Sequence, residues 1–215
     1  MTTARESSLL ADVTASRTAL IVIDPQRSFC DADGTMARQG RPIDGLRRAA
    51  QAGDTLAHDL RALGATIIWT RMVFAQDYSD GGELIRSIRP NLARIGALKR
   101  GSGDELLSPV VNPAPADVVV DKPRFSALVH TRLEAMLRDG GYGRVIVCGV
   151  TTSMCVESTV RDLGQRDFET YVVADACADF DAGRHNASMQ AMEFGFARII
   201  DSNSARALMR TAGHA

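Results

Sequence analysis

The amino-acid sequence predicts an α/β fold of three layers (α/β/α), in which helices cover both faces of a six-stranded parallel sheet. Six short apolar segments, rich in β-branched residues, alternate along the chain with segments of helical periodicity. The clearest of these apolar segments are continuous rather than alternating, which is typical of strands buried on both faces. This order of strands and helices requires right-handed crossover connections between parallel strands.

The length and composition favour one domain with a sizeable core. The chain has 215 residues and is 45% apolar. We expect residues 1–215 to form a single domain, with the polar residues 1–16 as a loose N-terminal arm. That arm lacks the continuous apolar segment of a secretory signal. No apolar segment approaches the roughly 20 residues needed to span a bilayer, so no membrane partner is expected.

The charged residues and the reactive side chains narrow the possible functions. Lys and Arg number 25 and Asp and Glu 26, and no basic patch stands out, which argues against a nucleic-acid partner. The cysteines form no CxxC pair, which favours a reduced, cytoplasmic protein. The histidines lack the close spacing of a metal site. The four cysteines are Cys30, Cys148, Cys155 and Cys177, and the four histidines are His58, His130, His185 and His214.

The N-terminal part of the domain is predicted to contain one strand and one long helix. The strand covers 18–23 and ends at Asp24, because the proline that follows cannot donate to a sheet ladder. Residues 30–40 are rich in glycine and charge, which predicts a loop. A helix is expected over 43–63, where leucines recur at helical spacing. Gly64 suits the position just after that helix.

The middle of the chain is expected to be less regular. The second strand is predicted over 65–70 and the third over 117–120. Between them, 71–90 reads as irregular with a short helix around 83–88. Glycines and prolines throughout 91–115 predict a long connection, and such connections are often functional.

The C-terminal half of the chain returns to a regular alternation of strands and helices. The fifth strand is expected to end at Asp175, again with a carboxylate after an apolar run. The predicted strands of this half are 145–148, 170–174 and 197–200, and the predicted helices are 128–138, 154–163, 182–194 and 204–211.

The segment 144–162 carries the first chemical signal. Its strand ends at Gly149, and short hydroxyl residues then begin a helix with Cys155 in its first turn. Free N–H groups and the helix dipole at such a position favour the reactive thiolate and could hold an oxyanion. A free cysteine is also commonly a small buried apolar residue. This segment alone leaves both interpretations open.

Two further residues occupy equivalent places in the predicted sheet. Asp24 ends the first strand, Lys122 follows the third and Cys155 follows the fourth. The carboxyl ends of parallel strands share one edge, so the three side chains can converge there. Taken singly, Asp24 could be a turn residue and Lys122 a solvated loop lysine. Three such residues at one edge together indicate a catalytic site.

Three segments also resemble the signature sequences of the isochorismatase-like cysteine hydrolases, which include N-carbamoylsarcosine amidases, ureidoacrylate amidohydrolases and biuret hydrolases. The segments are IVIDPQRSF, DKPRFSAL and CGVTTSMCVESTVRDL. The resemblance covers nearly the whole chain and implies the same six-stranded fold. It also implies a catalytic triad of Asp24, Lys122 and Cys155, and a cis peptide bond between Val150 and Thr151. Members of this family are commonly dimers or tetramers, so a homodimer or homotetramer is expected.

Two departures narrow the resemblance. Nicotinamidases carry metal-binding histidines after the second strand, whereas residues 70–74 contain none, so we expect no metal and no cofactor. Isochorismatases carry glycine where this chain has Cys155, since they cleave a vinyl ether without a covalent intermediate. The segment VADACADF nevertheless resembles isochorismatases. The segment CVESTVRD is most similar to members that cleave ureido and carbamoyl groups.

The resulting hypothesis is a cysteine-dependent amidohydrolase acting on a small carboxamide, ureido or N-carbamoyl compound. Cys155 would attack the carbonyl to form a thioester-type intermediate, Asp24 would carry the proton and Lys122 would hold both by charge. The backbone N–H groups of Thr151 and Cys155 would form the oxyanion hole. The alternatives are a vinyl-ether hydrolase of the isochorismatase type and a non-catalytic binding member of the family.

Contacts to the substrate are assigned from their positions near the same sheet edge. Phe29 could form a wall of the pocket, although a phenylalanine after a strand is often a core residue. Arg71 follows the second strand and could bind a substrate carboxylate, or else form a structural ion pair. Gln26 and His185 are further candidates. Arg124 is expected to brace its own loop.

Overall fold

The computed structural model describes residues 17–212. Its centre is a sheet of six parallel strands in the order β3-β2-β1-β4-β5-β6. The predicted α/β fold with a six-stranded parallel sheet is confirmed. The expected N-terminal arm, 1–16, lies outside the described residues.

Each strand except the last is followed by a crossover of helices and turns, and the last is followed by the final helix. The strands are β1 (Arg17–Ile23), β2 (Thr66–Met72), β3 (Val118–Lys122), β4 (Tyr142–Val150), β5 (Glu169–Ala178) and β6 (Arg198–Ile200). The α-helices are α1 (Arg27–Cys30), α2 (Thr35–Arg38), α3 (Asp44–Ala62), α4 (Asn91–Arg94), α5 (Leu133–Asp139), α6 (Glu157–Gly164), α7 (Ala182–Gly195) and α8 (Ser202–Ala212). A 3₁₀ turn (Ser79–Gly81) and two π-helical turns (Leu84–Ile88 and Thr152–Val156) complete the elements.

The hydrophobic core lies between the sheet and its helices. Helix α3 packs on β1, β4 and β5, and helix α8 lies beside it against β5. Gly53 of α3 faces Val22 and Cys148, so the absence of a side chain lets this helix approach the sheet closely. Helix α5 packs on β4, α6 on β5, and α7 against β6. Among residues 17–212, no helix is both long and apolar enough to cross a membrane.

Several boundaries differ from the sequence prediction. Residues 30–40, predicted as a loop, contain the end of α1 and the short helix α2. The helix predicted over 128–138 begins only at Leu133, because His130 has a left-handed backbone (φ +58°) that an α-helix cannot contain. The hydroxyl of Thr131 accepts a hydrogen bond from the N–H of Leu133, the first residue of the helix.

The fifth strand is also longer than predicted. It continues past Asp175 to Ala178, and Asp175 is an exposed residue within it that accepts a hydrogen bond from the N–H of Ser202. The prediction that this strand ends at Asp175 is therefore wrong. A polar residue in a strand near the sheet surface does not end the ladder when its side chain can bind an exposed helix start.

The topology leaves a crevice beyond the carboxyl ends of β1 and β4. The chain leaves β1 toward β2 on one side, whereas β4 leads to β5 on the other, and such a switch point is where α/β sheets bind ligands. Ile23 and Gly149 are paired at this place. Gly149 has a φ of +119°, and a Cβ there would overlap the backbone of Ile23, with the nitrogen at 2.6 Å. Only glycine fits this close approach.

We expect Gly149→Ala to lower the free energy of unfolding by about 2–5 kcal/mol, because it combines a strained φ with a backbone overlap. Urea denaturation followed by circular dichroism measures this change. Gly195→Ala is the matched control, since a Cβ at Gly195 meets no atom within 4 Å. That control is expected to stay within about 1 kcal/mol of wild type. Equal stabilities for the two variants would contradict the assigned role of Gly149.

Candidate active site

Asp24 is the first residue after β1, and its conformation is held by β2. Its backbone is left-handed (φ +48°) and its side chain is fully buried. The hydroxyl of Thr70 on β2 donates to Asp24 Oδ1 at 2.6 Å and accepts from the N–H of Asp24 at 3.2 Å. This reciprocal pair of hydrogen bonds fixes both the backbone and the carboxylate of Asp24, which explains how a strained conformation persists.

Lys122 reaches the same carboxylate from two strands away. It is the last residue of β3, and its side chain extends across β2 to place Nζ 2.8 Å from Asp24 Oδ2. Nζ also donates to the carbonyl oxygens of Arg124 and Phe125, at 3.1 and 3.0 Å. Neither Lys122 nor Asp24 is exposed to solvent. The pair therefore meets the requirement that buried charges be matched and hydrogen-bonded.

The second carboxylate oxygen of Asp24 keeps an open acceptor position. Within residues 17–212, Oδ2 of Asp24 stands alone as a buried side-chain oxygen or nitrogen without a hydrogen-bond partner. The charge of Oδ2 is compensated by the Lys122 ammonium group, whose Nζ lies 2.8 Å away. A carboxylate oxygen has more than one lone pair, so Oδ2 can also accept a proton from a neighbouring group.

Cys155 supplies that neighbouring group. It lies in the π-helical turn Thr152–Val156 that leads into α6, and it is 3% exposed. Burial raises the pKa of the Cys155 thiol strongly. The charge of Lys122 lowers this pKa, whereas the charge and hydrogen bonding of Asp24 raise it. The neutral thiol is therefore the favoured form.

This result corrects the sequence expectation of a thiolate favoured by the helix start. The expectation counted the helix dipole but could not count complete burial or the adjacent carboxylate of Asp24. Lys122 remains protonated in the same surroundings. Burial alone would lower the pKa of Lys122, but the charge and the hydrogen bonding of Asp24 help to raise it overall.

The turn before Cys155 is ordered by a second carboxylate, that of Asp179. The peptide bond between Val150 and Thr151 is cis, at the position that the resemblance implies. Asp179 Oδ2 then accepts hydrogen bonds from the N–H and the hydroxyl of Ser153, at 2.8 and 2.7 Å. Thr151 and Cys155 both line the pocket described next. Asp179 thus positions the start of the turn that carries the thiol.

A pocket of about 110 Å³ opens above Cys155. Its wall is mainly apolar, and its mouth carries charged side chains. The apolar residues are Phe29, Met36, Met72, Leu92, Leu98, Phe125, Met154 and Phe180, and the polar or charged ones are Arg41, Arg89, Thr151, Cys155, Asp179 and Arg184. A small ligand with one reactive carbonyl and an apolar part would fit such a cavity.

Of the residues predicted to contact the substrate, the structure places some in the pocket lining and others outside it. Phe29 lies in the pocket wall as expected. Arg71 does not, because its guanidinium pairs with Asp121 at 2.7 Å, and its position on β2 alternates with the site-facing Thr70 and Met72. Arg71 thus forms the structural ion pair that was the alternative interpretation, and it lies outside the pocket lining.

Gln26 and His185 are likewise absent from the pocket lining. The amide of Gln26 is buried and fully used, since it bonds the backbone of Met72 through both its oxygen and its nitrogen. His185 Nδ1 lies 2.9 Å from the hydroxyl of Thr152, beneath the turn that carries Cys155. Both residues therefore support the site from behind. Arg124 braces its loop as predicted, by donating to the carbonyl oxygens of Asp80 and Pro123.

Other residues of the site were missed by sequence reasoning. Thr70 lies inside a predicted strand, where an isolated threonine carries no signal of its partner. Asp179 directly follows the observed end of β5. Asp24 was selected because it follows the end of a parallel strand, and the same criterion selects Asp179 once the end of β5 is known. Three arginines at the mouth of the pocket, Arg41, Arg89 and Arg184, lie in irregular segments or at a helix start. The sequence does not predict where such segments place their side chains. No group of three or more potential metal ligands occurs within residues 17–212.

Comparison with known proteins relates the chain to one family. Residues 18–204 match the isochorismatase domain. The ureidoacrylate amidohydrolase of Methylorubrum extorquens is 30% identical over 206 residues, which is 87% of this chain and 77% of that protein. A cysteine hydrolase from Pseudomonas syringae superposes with a TM-score of 0.83 at 28% identity, covering 91% and 93% of the two chains. N-carbamoylsarcosine amidase from Thermoplasma acidophilum shares the fold, with a TM-score of 0.68, 21% identity and coverage of 86% and 96%.

The hydroxyl of Thr70 gives a test of the site's construction. Thr70→Val keeps the shape of the side chain but leaves the N–H and one carboxylate oxygen of Asp24 without their partner. We expect the free energy of unfolding to fall by about 1–3 kcal/mol, measured by urea denaturation. Thr55→Val removes an exposed hydroxyl that bonds only within α3, and should change stability by less than about 0.5 kcal/mol. An equally small effect of Thr70→Val would show that the Thr70–Asp24 contacts are not stabilising.

Proposed function

The chain belongs to the isochorismatase domain family, and we propose that it is a cysteine-dependent amidohydrolase that cleaves a small carboxamide or ureido compound. The observation that carries this proposal is the position of Cys155 in the pocket lining, with the buried ion pair of Asp24 and Lys122 directly behind its thiol. A nucleophile at the cavity surface thus adjoins a carboxylate and a cation that are shielded from solvent.

The first step we propose is attack by Cys155 on the substrate carbonyl. Oδ2 of Asp24 takes the thiol proton as the sulfur forms its bond to the carbonyl carbon. The carbonyl oxygen becomes an oxyanion, which the backbone N–H groups of Thr151 and Cys155 would stabilise. The negative charge lies on Asp24 in some states of the cycle and on the sulfur in others. Lys122 is close to both groups and stabilises the charge in either position.

The second step breaks the carbon–nitrogen bond and then regenerates the enzyme. Asp24 gives its proton to the departing nitrogen, which leaves as ammonia or an amine, and a thioester remains on Cys155. Asp24, again ionised, takes a proton from a water molecule that attacks the thioester. The carbon–sulfur bond then breaks, the sulfur takes the proton back from Asp24, and the acid product departs. The thiol and the carboxylate are both restored, so protons balance over the cycle without a cofactor or a metal ion.

The relatives support hydrolysis of this kind of bond. The ureidoacrylate amidohydrolase and the N-carbamoylsarcosine amidase are both named for cleavage of carbon–nitrogen bonds in small ureido or carbamoyl compounds. We therefore assign the same substrate class, a small amide or ureido compound, to the pocket above Cys155. A cytoplasmic location and a homodimeric or homotetrameric state are further parts of the proposal, drawn from the cysteine composition and the family.

Cys155→Ala tests the nucleophile directly. We expect the rate of amide and urea hydrolysis to fall at least about 1,000-fold, because no other group can form the covalent intermediate. Ammonia release, measured across a panel of substrates, reports this rate. Cys30→Ala is the matched control, since Cys30 is also buried but bonds only the carbonyl of Leu46 in the core. Turnover of Cys155→Ala above about a hundredth of wild type would contradict the covalent mechanism and favour vinyl-ether chemistry.

Opposite shifts of the Cys155 pKa test the roles of its two neighbours. Lys122→Met removes the charge that lowers this pKa, so the pKa should rise further. Asp24→Asn removes a charge that raises it, so the pKa should fall, although turnover is lost in both variants. The pH dependence of iodoacetamide labelling, read at the Cys155 peptide by mass spectrometry, measures both shifts.

Asp139→Asn, an exposed change at the end of α5, is the control for this experiment and should leave the labelling profile unchanged. Circular dichroism confirms that each variant is folded before labelling. A rise of the pKa in both Lys122→Met and Asp24→Asn would instead indicate a coupled triad whose protons belong to no single residue.

A further inference from the structure

Three arginine side chains surround the mouth of the pocket. Arg41 lies between α2 and α3, Arg89 directly follows the π-helical turn Leu84–Ile88, and Arg184 lies in the first turn of α7. All three are exposed, and they come from separate parts of the chain. Their convergence on one small opening produces a local positive charge in a protein whose net charge is only −1.

The carboxylate in this lining does not neutralise all three cations. Asp179 Oδ1 lies 3.2 Å from Arg184, and its Oδ2 is bound by Ser153. Arg89 contacts the sulfur of Met154 at 3.8 Å, one residue before Cys155. Within the described part of the chain, the guanidinium groups of Arg41 and Arg89 have no carboxylate partner. They are therefore available to an anion from solution.

The space around these two arginines extends beyond the pocket itself. A second depression of about 140 Å³ adjoins the first and shares Arg41 and Arg89 with it. Its other polar side chains are Gln39 and Asn91, both able to donate hydrogen bonds. A ligand whose carbonyl lies at Cys155 would thus pass an apolar wall before its far end meets the guanidinium groups.

We propose that the enzyme selects amides and ureas that carry a carboxylate, joined to the scissile carbonyl group through a short apolar spacer. Arg41 and Arg89 are the specificity-determining residues, and Arg184, held by Asp179, contributes charge. This inference rests on the proposed hydrolase function and names its substrate class. A guanidinium group binds a carboxylate through two parallel N–H···O bonds, which gives both strength and orientation.

Two matched pairs of substrates test the selectivity of the wild-type enzyme. Succinamate and butanamide differ by a carboxylate in place of a methyl group, as do N-carbamoyl-β-alanine and propylurea. We expect kcat/KM to be about 10- to 100-fold higher for the acid of whichever pair is cleaved, since hydrogen bonds between charged groups have that strength. Equal values for the acid and its neutral partner would overturn the inference.

Variants then locate the selectivity. Arg41→Gln and Arg89→Gln should each reduce the ratio of kcat/KM between acid and neutral substrate several-fold, mainly through KM, and the double variant should bring it near unity. Arg48→Gln is the matched control, because Arg48 is an exposed arginine on α3 outside both depressions. A ratio unchanged in the double variant would show that other residues bind the carboxylate.

A binding measurement separates this inference from the proposed function. Calorimetric titration of the Cys155→Ala protein with succinamate and with butanamide requires no turnover. Tighter binding of succinamate that is lost in the double arginine variant supports the inference, even if the wild type hydrolyses none of the four compounds. Hydrolysis without any preference between the two in binding or turnover would overturn the inference and leave the hydrolase proposal intact.

Discussion

The buried ion pair between Lys122 and Asp24 is the interaction around which the site is built. Removing two charges from water costs several kcal/mol for each, and the surroundings must offset that cost. The hydroxyl of Thr70 and the carbonyl oxygens of the loop after β3 provide the compensating hydrogen bonds. These groups come from β1, β2 and the end of β3, so the pair also ties three adjacent strands together at their carboxyl ends.

Burial and the two neighbouring charges together set the protonation state of Cys155. Burial raises the pKa of the Cys155 thiol, and Asp24 raises it further against the opposing charge of Lys122, so the neutral thiol is favoured. In the proposed mechanism, Oδ2 of Asp24 accepts the thiol proton when Cys155 attacks a carbonyl. A neutral resting thiol also resists oxidation and unspecific alkylation, which depend on thiolate character.

The sequence predicted the sheet, the order of its elements and the three central residues, and the reason is physical. Continuous β-branched runs have few alternatives to buried strands, and topology then brings Asp24, Lys122 and Cys155 to one edge. Strand patterns and topology do not predict contacts that depend on the direction of a side chain. Arg71 is one residue out of register with the site face of β2, and a strand boundary misplaced at Asp175 concealed Asp179. The arginines at the mouth lie on segments whose paths follow from tertiary packing alone.

The central claim of this account is that Cys155 carries the acyl group during turnover, and intact-mass measurement of the rapidly quenched enzyme tests it most directly. During steady-state hydrolysis of an amide that carries a carboxylate, the account predicts a protein species whose mass is increased by that of the acyl group. The added mass should lie on the peptide that contains Cys155. A slow ester or anilide analogue would increase its amount. An acyl group on another residue, or turnover with a pre-steady-state burst but no added mass, would contradict the account.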